Sequence, residues 1–370
     1  MRGVVLPPSL QYNPALDGLR TVAALLVVVN HCHVPGFQAG FYGVDIFFVL
    51  SGYLITRLLL DEHGGTGRID LPRFYLRRFL RLAPPLLAML ATYLVWAPMV
   101  WPQFGLWSHV RDTLIAAFYL SDYARAFWLL PHIVQHTWSL GVEEHFYLMW
   151  PLVLLALLRL PARWRMAALF GLYVAATAWR MIWYVDATDW PETYFRLDTR
   201  MSGLILGALL ATLLSGADRV PERFANLSGT VASIALTLAL MIGAWRAPGA
   251  LEWTMTLVEF AAAALLIAAS APESWVSRVL SAPPLVATGI LSYGIYLWHY
   301  PVALYFRDRM PWYEATFTVL AIAFLAASLS YLLIEKPLQS FRRNLKPRVE
   351  TEDAVAGTDA VATVSAATSR

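Results

Sequence analysis

Arg20 and His31 are ionisable residues in one apolar stretch, eleven positions apart. In an α-helix this spacing places both side chains within about 20° of one face and roughly 16 Å apart along the axis. An imidazole can act as a general base toward a hydroxyl or carry an acyl group transiently. Two interpretations fit. Either the pair forms a functional polar stripe, or Arg20 extends to the inner headgroups and His31 packs in the core.

Carboxylates occur at two further places in apolar runs. Asp45 opens the second run at a depth comparable to that of His31, where it can orient an imidazole or complement the helix dipole. Ser139 and Glu143 are four residues apart and share a helix face, whereas Glu144 points about 100° away. Two adjacent acids at the start of an apolar helix indicate either a site or a capped outer end.

The densest basic stretch, residues 73–81, contains Arg78 and Arg81. These two residues share one helix face near its start, where the dipole favours anions. Guanidinium groups bind phosphate through paired hydrogen bonds, so the two arginines can hold a phosphorylated cytosolic ligand. The other interpretation is that the stretch anchors the chain to anionic lipid.

Three further residues are candidates for contact with a substrate. Asp198 and Arg200 lead into a helix with small residues, and they either form an ion pair at the outer rim or act as cap and anchor. His299, flanked by aromatic residues, either faces a substrate or lies at the membrane interface. No zinc-helix signature occurs and Cys32 is the lone cysteine, so no metal site is expected. The histidines assigned to loops receive no role: His63, His109, His132 and His136.

The composition indicates a membrane scaffold for these side chains. Of 370 residues, 58% are hydrophobic and 14% are charged, against roughly 45–50% and about 25% in a soluble domain. These values argue against disorder, a coiled coil or a nucleic-acid binder. Apolar runs of about 20 residues predict ten transmembrane helices. They lie near 15–34, 40–60, 80–99, 140–158, 166–185, 199–215, 228–245, 253–270, 284–305 and 312–334.

Loop charges predict the orientation, because cytoplasmic loops collect Arg and Lys. With ten spans and the N-terminus inside, eighteen basic residues face the cytoplasm and six face outward. The short apolar run 110–121 is placed in an outer loop, since a crossing there would move the basic loop 159–165 outside. Both termini are thus predicted to be cytoplasmic. Segment 1–14 has no long apolar core, so the first span is expected to be retained rather than cleaved.

Several motifs, read in order, resemble the acyltransferase-3 family of bacterial integral-membrane acyltransferases. They are 16–20 with the R-x10-H spacing to His31, 43–53, 78–81, 138–147, 198–200, 292–299 and 335–337. Each motif is weak alone, but together they are specific and cover roughly residues 12–340. Gly141, His145 and Gly294 replace residues more frequent in the family, which leaves the positions of Arg20, His31 and Glu143 unchanged.

The resemblance implies an all-α polytopic membrane protein with about ten transmembrane helices and both termini cytoplasmic. The predicted organisation is an N-terminal segment 1–14, a membrane domain 15–340 and a disordered tail 341–370. The resemblance also implies an O-acyltransferase of the bacterial inner membrane, with acetyl-coenzyme A or another acyl-coenzyme A as the acyl donor and no permanently bound cofactor. Some members carry an extra SGNH hydrolase-type domain, which this chain is expected to lack.

The predicted mechanism transfers an acyl group to a hydroxyl across the bilayer. His31 is the general base or a transient acyl carrier, and Asp45 or Glu143 orients its ring. Arg20, Arg78 and Arg81 hold the acyl donor. The residues expected to contact the acceptor are Ser139, Glu144, Asp198, Arg200 and His299.

The identity of the acceptor is open at this point. The expected partners are acyl-coenzyme A, membrane lipid and a surface or lipid-linked glycan such as O-antigen or exopolysaccharide, with no nucleic acid. Two alternatives are acylation of a small natural product such as a macrolide, and transport or flipping of a glycan. Matching broken spans in two repeats would favour a transporter, and none is found in the sequence.

Overall fold

Helices dominate the computed structural model, which describes residues 12–184, 190–215, 220–243 and 249–344. Side chains are described up to residue 341 in the last of these ranges. Within these ranges there is no β-strand. The α-helices are α1 (Pro14–His31), α2 (Gly43–Thr66), α3 (Leu71–Val100), α4 (Gly105–Ala117), α5 (Ser121–Trp128), α6 (Trp138–Leu158), α7 (Ala162–Trp183), α8 (Trp190–Phe195), α9 (Leu197–Ser215), α10 (Glu222–Ile242), α11 (Met255–Ala269), α12 (Trp275–Leu280), α13 (Pro283–Ile290), α14 (Ser292–Phe306), α15 (Trp312–Ser330) and α16 (Lys336–Asn344).

Shorter helical turns connect these elements. Three are 3₁₀-helices, Gly40–Tyr42, Pro102–Phe104 and Gln135–Thr137. Two are π-helical, Ala250–Thr254 and Tyr331–Glu335. Residues 1–11 of the predicted N-terminal segment and residues 345–370 of the predicted tail lie outside the described residues. Residues 341–344, predicted to be disordered, instead end helix α16.

In the described part of the chain, eight helical segments are long and apolar enough to cross a bilayer. They are Gly40–Thr66, Leu71–Val100, Gln135–Leu158, Ala162–Trp183, Trp190–Ser215, Glu222–Ile242, Ala250–Ala269 and Trp312–Phe341. Each corresponds to one of the predicted spans. The prediction of an all-α polytopic membrane protein is therefore confirmed.

The other two predicted spans differ from these eight. Helix α1 has 18 residues, and polar Asp17, Arg20 and Asn30 lower its apolar character. The prediction of one continuous helix over 284–305 is wrong, because the chain breaks at Leu291 into α13 and α14. Both pieces pack against α1. The two predicted spans outside these eight are therefore neighbours in the bundle.

The run 110–121 forms most of α4, which has 13 residues. At 1.5 Å per residue this helix is about 20 Å long, short of the roughly 30 Å hydrocarbon core. Helix α5 that follows has only 8 residues. Neither helix is long enough to cross a membrane alone, which agrees with their predicted place in a loop.

Side-chain caps begin α1 and α3, the two helices that carry the arginines predicted to bind the acyl donor. Asn13 accepts a hydrogen bond from the backbone N–H of Ala15 (3.0 Å) and starts α1. Asp70 accepts one from the backbone N–H of Arg73 (3.1 Å) and starts α3. Such caps satisfy N–H groups that have no partner within the helix. Because α3 starts at residue 71 rather than near 80, its basic stretch is helical throughout.

Glycines allow α2 and α9 to pack with their backbones in contact. A Cβ atom on Gly52 would lie 1.9 Å from the carbonyl oxygen of Leu204, and one on Gly207 would lie 2.0 Å from that of Val49. Close approach through small residues is a common way to associate helices in membranes. This contact fixes α2, which carries Asp45, against α9, which carries Arg200.

A buried polar network ties α7, α9 and α11 together. Arg180 Nη1 lies 2.8 Å from Glu259 Oε1 and donates to the Ser202 hydroxyl oxygen (2.7 Å). The second terminal nitrogen of Arg180 donates to Thr256 (2.6 Å). Both charged side chains are fully enclosed. Because intramembrane charges are costly unless paired, this network fixes the register of the three helices.

Candidate active site

A cavity of about 130 Å³ lies among α1, α2, α3, α6, α13 and α14. We call it the arginine cavity, because Arg20, Arg78 and Arg81 all line it. The structure thus brings together the three arginines predicted to hold an acyl donor. Other polar residues of its lining are Ser51, Ser139, Glu143, Tyr147, Ser292, Tyr293, Tyr296 and Glu335.

Neighbouring side chains hold the arginine cavity's polar groups in place. Arg20 Nη1 donates to Asp17 Oδ1 (2.8 Å), one turn earlier in α1. The guanidinium of Arg78 lies over the ring of Tyr147, 5.6 Å from its centroid. The Ser51 hydroxyl donates to Glu143 Oε1 (2.6 Å). Glu143 therefore belongs to the arginine cavity.

A second cavity, of about 620 Å³, lies at the other end of α1. We call it the histidine cavity, because His31 and His136 line it. Arg125 and Arg307 also belong to its lining, and none of the described residues that line it is Asp or Glu. Its aromatic residues are Phe41, Trp138, Trp190, Tyr194, Phe195, Tyr296 and Tyr300.

His31 is hydrogen-bonded to His299 in a way that fixes both tautomers. His299 Nδ1 lies 2.7 Å from the carbonyl oxygen of Tyr296, so this nitrogen carries a proton. In a neutral His299 the other nitrogen, Nε2, is then an acceptor. His31 Nδ1 lies 2.9 Å from that Nε2 and must donate to it. The Nε2 lone pair of His31 is consequently available for chemistry.

Tyr296 and Val44 line both cavities and form the wall between them. The Tyr296 hydroxyl donates to the carbonyl oxygen of His136 (2.8 Å). It therefore accepts from the Ser139 hydroxyl, which is 2.6 Å away. These bonds attach the wall to the start of α6.

Asp45 does not orient His31, and that prediction is wrong. Arg200 Nη2 lies 3.0 Å from Asp45 Oδ1, and both side chains are buried. The guanidinium of Arg200 also lies over the ring of Tyr194, 4.5 Å from its centroid. Asp45 and Arg200 each precede a glycine of the α2–α9 contact by seven residues, or about two turns. The close helix contact thus places the two charges opposite each other.

Of the two interpretations of Asp198 and Arg200, the structure does not show the ion pair between them. Asp198 Oδ1 instead accepts from Arg196 Nε (2.9 Å), and Oδ2 accepts from Trp179 Nε1 (2.8 Å). Arg200 points to α2 because residues two apart on a helix face different directions.

The remaining predicted residues separate into different places. Ser139 lines the arginine cavity, while the described linings of both cavities lack Glu144 and Asp198. Glu143 accepts a hydrogen bond from Ser51 and lines the arginine cavity, whereas His31 lines the histidine cavity, so Glu143 does not orient the His31 ring. His299 is fully buried behind His31 and faces neither lipid nor open cavity.

His136 is a cavity residue that the sequence interpretation missed. It lies in the 3₁₀-helix before α6 and is 2% exposed. Its Nε2 donates to the carbonyl oxygen of Leu297 (3.1 Å), and its ring stacks on Tyr300 at 5.1 Å. Nδ1 has no hydrogen-bond partner within the described residues. Its position three residues before Ser139 was the one sequence signal available.

Comparison with known proteins gives the family. A family model described as an acyltransferase domain matches residues 13–335. The chain is 31% identical over 355 residues to peptidoglycan O-acetyltransferase OatA of Listeria monocytogenes serovar 1/2a, covering 90% of this chain and 56% of that protein. It is 33% identical over 358 residues to O-acetyltransferase OatA of Staphylococcus aureus strain NCTC 8325, covering 90% and 58%.

A third relative is a putative O-acetyltransferase of Staphylococcus aureus strain MSSA476, 31% identical over 360 residues, covering 91% of this chain and 59% of the relative. The chain therefore spans less than two thirds of the length of these relatives. No solved structure matches it. Because the family model covers most of the chain, the protein belongs to the acyltransferase-3 family, as the sequence motifs predicted.

Proposed function

We propose that the protein is an O-acetyltransferase that moves an acetyl group from cytosolic acetyl-coenzyme A to a glycan hydroxyl on the other side of the bacterial inner membrane. The observation that carries this proposal is the pair of cavities at opposite ends of α1, separated by Val44 and Tyr296. One cavity suits an anionic acyl donor, and the other presents a histidine nitrogen to an acceptor.

The arginine cavity is the proposed site of acetyl-coenzyme A. Arg20, Arg78 and Arg81 supply three guanidinium groups, and charge-assisted bonds from guanidinium to phosphate are among the strong hydrogen bonds in proteins. The loop charges predict that this end of α1 faces the cytoplasm. Arg20 and His31 are roughly 16 Å apart along α1, a separation that the extended pantetheine arm of coenzyme A can span.

At the histidine cavity we propose that His31 Nε2 accepts the proton of the acceptor hydroxyl. The hydroxyl oxygen then attacks the thioester carbonyl carbon, the carbon–sulfur bond breaks, and the proton passes to the coenzyme A sulfur. The same nitrogen can instead attack first and carry the acetyl group to the hydroxyl. Both routes need an unprotonated Nε2, which the bond from Nδ1 to His299 supplies.

The relative from Listeria monocytogenes is named a peptidoglycan O-acetyltransferase, which favours a glycan acceptor, and peptidoglycan is the first to test. O-antigen, exopolysaccharide and a lipid-linked sugar follow. The cationic and aromatic lining of the histidine cavity supports a polar acceptor with flat apolar faces, which is the character of a sugar ring.

The proposal is tested with the full chain purified into proteoliposomes. Radiolabelled acetyl-coenzyme A is supplied on one side and peptidoglycan fragments on the other, and label on the glycan is counted. We expect transfer by the parent and a loss of about a thousandfold for His31→Ala. His63→Ala, at the end of α2 and outside both described linings, is the control. Glycan that crosses the membrane without gaining label would identify a transporter instead.

A further inference from the structure

The histidine cavity carries positive charge that the mechanism above does not use. Arg125 and Arg307 both line it, and its described lining contains no carboxylate. The arginine cavity differs, because Glu143 and Glu335 are part of its lining. Cations on a cavity wall without lining acids attract anionic ligands, and a low-dielectric surrounding strengthens the attraction.

Arg307 stands two helical turns beyond Tyr300, at the end of α14. Seven residues bring it back to the same face, about 10 Å farther along the axis. The ring of Tyr300 in turn lies 4.6 Å from that of His31. Arg307 can therefore contact a ligand group that lies roughly one or two sugar rings from the hydroxyl that reacts at His31.

Arg307 is only weakly neutralised by its neighbour in the chain. Asp308 Oδ2 lies 3.5 Å from Arg307 Nε, and its side chain is 68% exposed. Arg307 Nε is itself buried and makes no hydrogen bond to the described residues. Exposed ion pairs of this kind contribute little. The guanidinium retains donor capacity for a ligand in the cavity.

Aromatic rings form another part of the same lining. Trp190 is fully buried and stacks on Tyr194, with ring centroids 5.6 Å apart. Trp138 packs against Tyr194 at 4.9 Å. Rings of this kind offer a flat apolar contact beside polar groups, which matches the C–H face of a sugar.

We propose that the histidine cavity binds a glycan that carries an anionic group, a carboxylate or a phosphate. This group lies on the reacting sugar or its neighbour and is held by Arg307 together with Arg125, while the reacting hydroxyl lies at His31. The inference rests on the proposed function, because it takes the histidine cavity as the acceptor site.

The test measures equilibrium binding to the full chain in nanodiscs of neutral phosphatidylcholine, without any acyl donor. The probes are N-acetylmuramic acid, its uncharged methyl ester and N-acetylglucosamine 1-phosphate. We expect the parent to bind a charged probe about tenfold more tightly than the ester, since loss of one charge-assisted contact has about this effect. Preference for the acid identifies a carboxylate ligand, and preference for the phosphate identifies a phosphate ligand.

Variants locate the charge that selects the probe. Arg307→Gln is expected to abolish the preference while leaving the affinity for the ester unchanged, and Arg307→Lys to restore part of it. Arg309→Gln is the matched control, because Arg309 is two residues farther on and lies over the ring of Tyr305 rather than in the described cavity lining. It is expected to keep the full preference.

Equal binding of the charged probes and the ester by the parent would overturn the inference, as would an Arg307→Gln variant that weakens all probes equally. These results leave the proposed acetyl transfer intact, since no acyl donor is present. Conversely, the parent protein could prefer the charged probe and yet transfer no label in proteoliposomes. That result would refute the proposed function and support the binding of an anionic ligand.

Discussion

The two cavities use arginine in different chemical settings. In the arginine cavity, Arg20, Arg78 and Arg81 share the lining with two glutamates. In the histidine cavity, two arginines stand among histidines and aromatic rings, with no carboxylate in the described lining. A mixed lining suits a ligand that must enter and leave at each turnover, because the acids limit how tightly an anion is held. An arginine's role is therefore decided by its neighbours rather than by its presence in a span.

Among the variants that compare the two cavities through ligand affinity, the largest effect is expected from removal of charge in the arginine cavity. The double variant Arg78→Gln, Arg81→Gln should weaken acetyl-coenzyme A binding about a hundredfold, since each charge-assisted contact contributes roughly tenfold. Titration of the purified protein with acetyl-coenzyme A measures this directly. Arg77→Gln is the control, because Arg77 contacts Glu62 (3.3 Å) outside the described lining. Unchanged affinity for acetyl-coenzyme A in the double variant would show that the acyl donor does not bind in this cavity.

A smaller effect is expected at the hydrogen bond between His31 and His299. His299→Leu removes the acceptor for His31 Nδ1 and should lower kcat by roughly 10- to 100-fold, as for outer groups that fix a histidine tautomer. His299→Gln keeps an acceptor oxygen and should recover part of the rate. The KM for acetyl-coenzyme A should remain unchanged in both. Equal losses in the two variants would mean that His299 acts only through packing.

The smallest effect on turnover is expected from the Asp45–Arg200 pair, which lies in neither described lining. Asp45→Asn leaves the buried Arg200 guanidinium without a charged partner and should lower the free energy of unfolding by about 3 kcal/mol. Thermal unfolding in detergent measures this loss. The folded fraction should keep kcat within about twofold.

Glu222→Gln, an exposed first-turn change in α10, serves as the control and should alter stability by less than about 0.5 kcal/mol. A large fall in kcat for Asp45→Asn without a change in the free energy of unfolding would mean that Asp45 takes part in catalysis.

The sequence was sufficient for eight of the ten predicted spans, because an apolar run of sufficient length has few other uses. It did not show the break at Leu291. That break accompanies a packing contact, since a Cβ atom on Gly289 would lie 1.9 Å from the carbonyl oxygen of Asp17. Interhelical contacts of this kind depend on which helices are neighbours, and hydropathy carries no such information.

The candidate site was predictable only in part. Arg20 and Glu143 stand out because charge inside an apolar run is costly, Arg78 stands out by its place in the densest basic stretch, and the structure places all three in one cavity. Arg125, His136 and Arg307 gave no such signal, because polar residues between spans are ordinary. The pairing of Asp45 with Arg200 requires knowledge of the α2–α9 contact, although the matching seven-residue spacings to Gly52 and Gly207 are visible once that contact is known.

The wall formed by Tyr296 and Val44 also has an electrical consequence. Cavities that enter a membrane from both ends leave a thin insulating layer, across which most of the membrane potential falls. Each elementary charge that leaks through dissipates about 2.3 kcal/mol per 100 mV. The hydrogen bonds of Tyr296 to His136 and Ser139 hold the ring in this layer. In the proposed reaction an acetyl group moves outward in exchange for the proton that passes to the coenzyme A sulfur, so the transfer itself carries no net charge through the layer that Tyr296 helps to close.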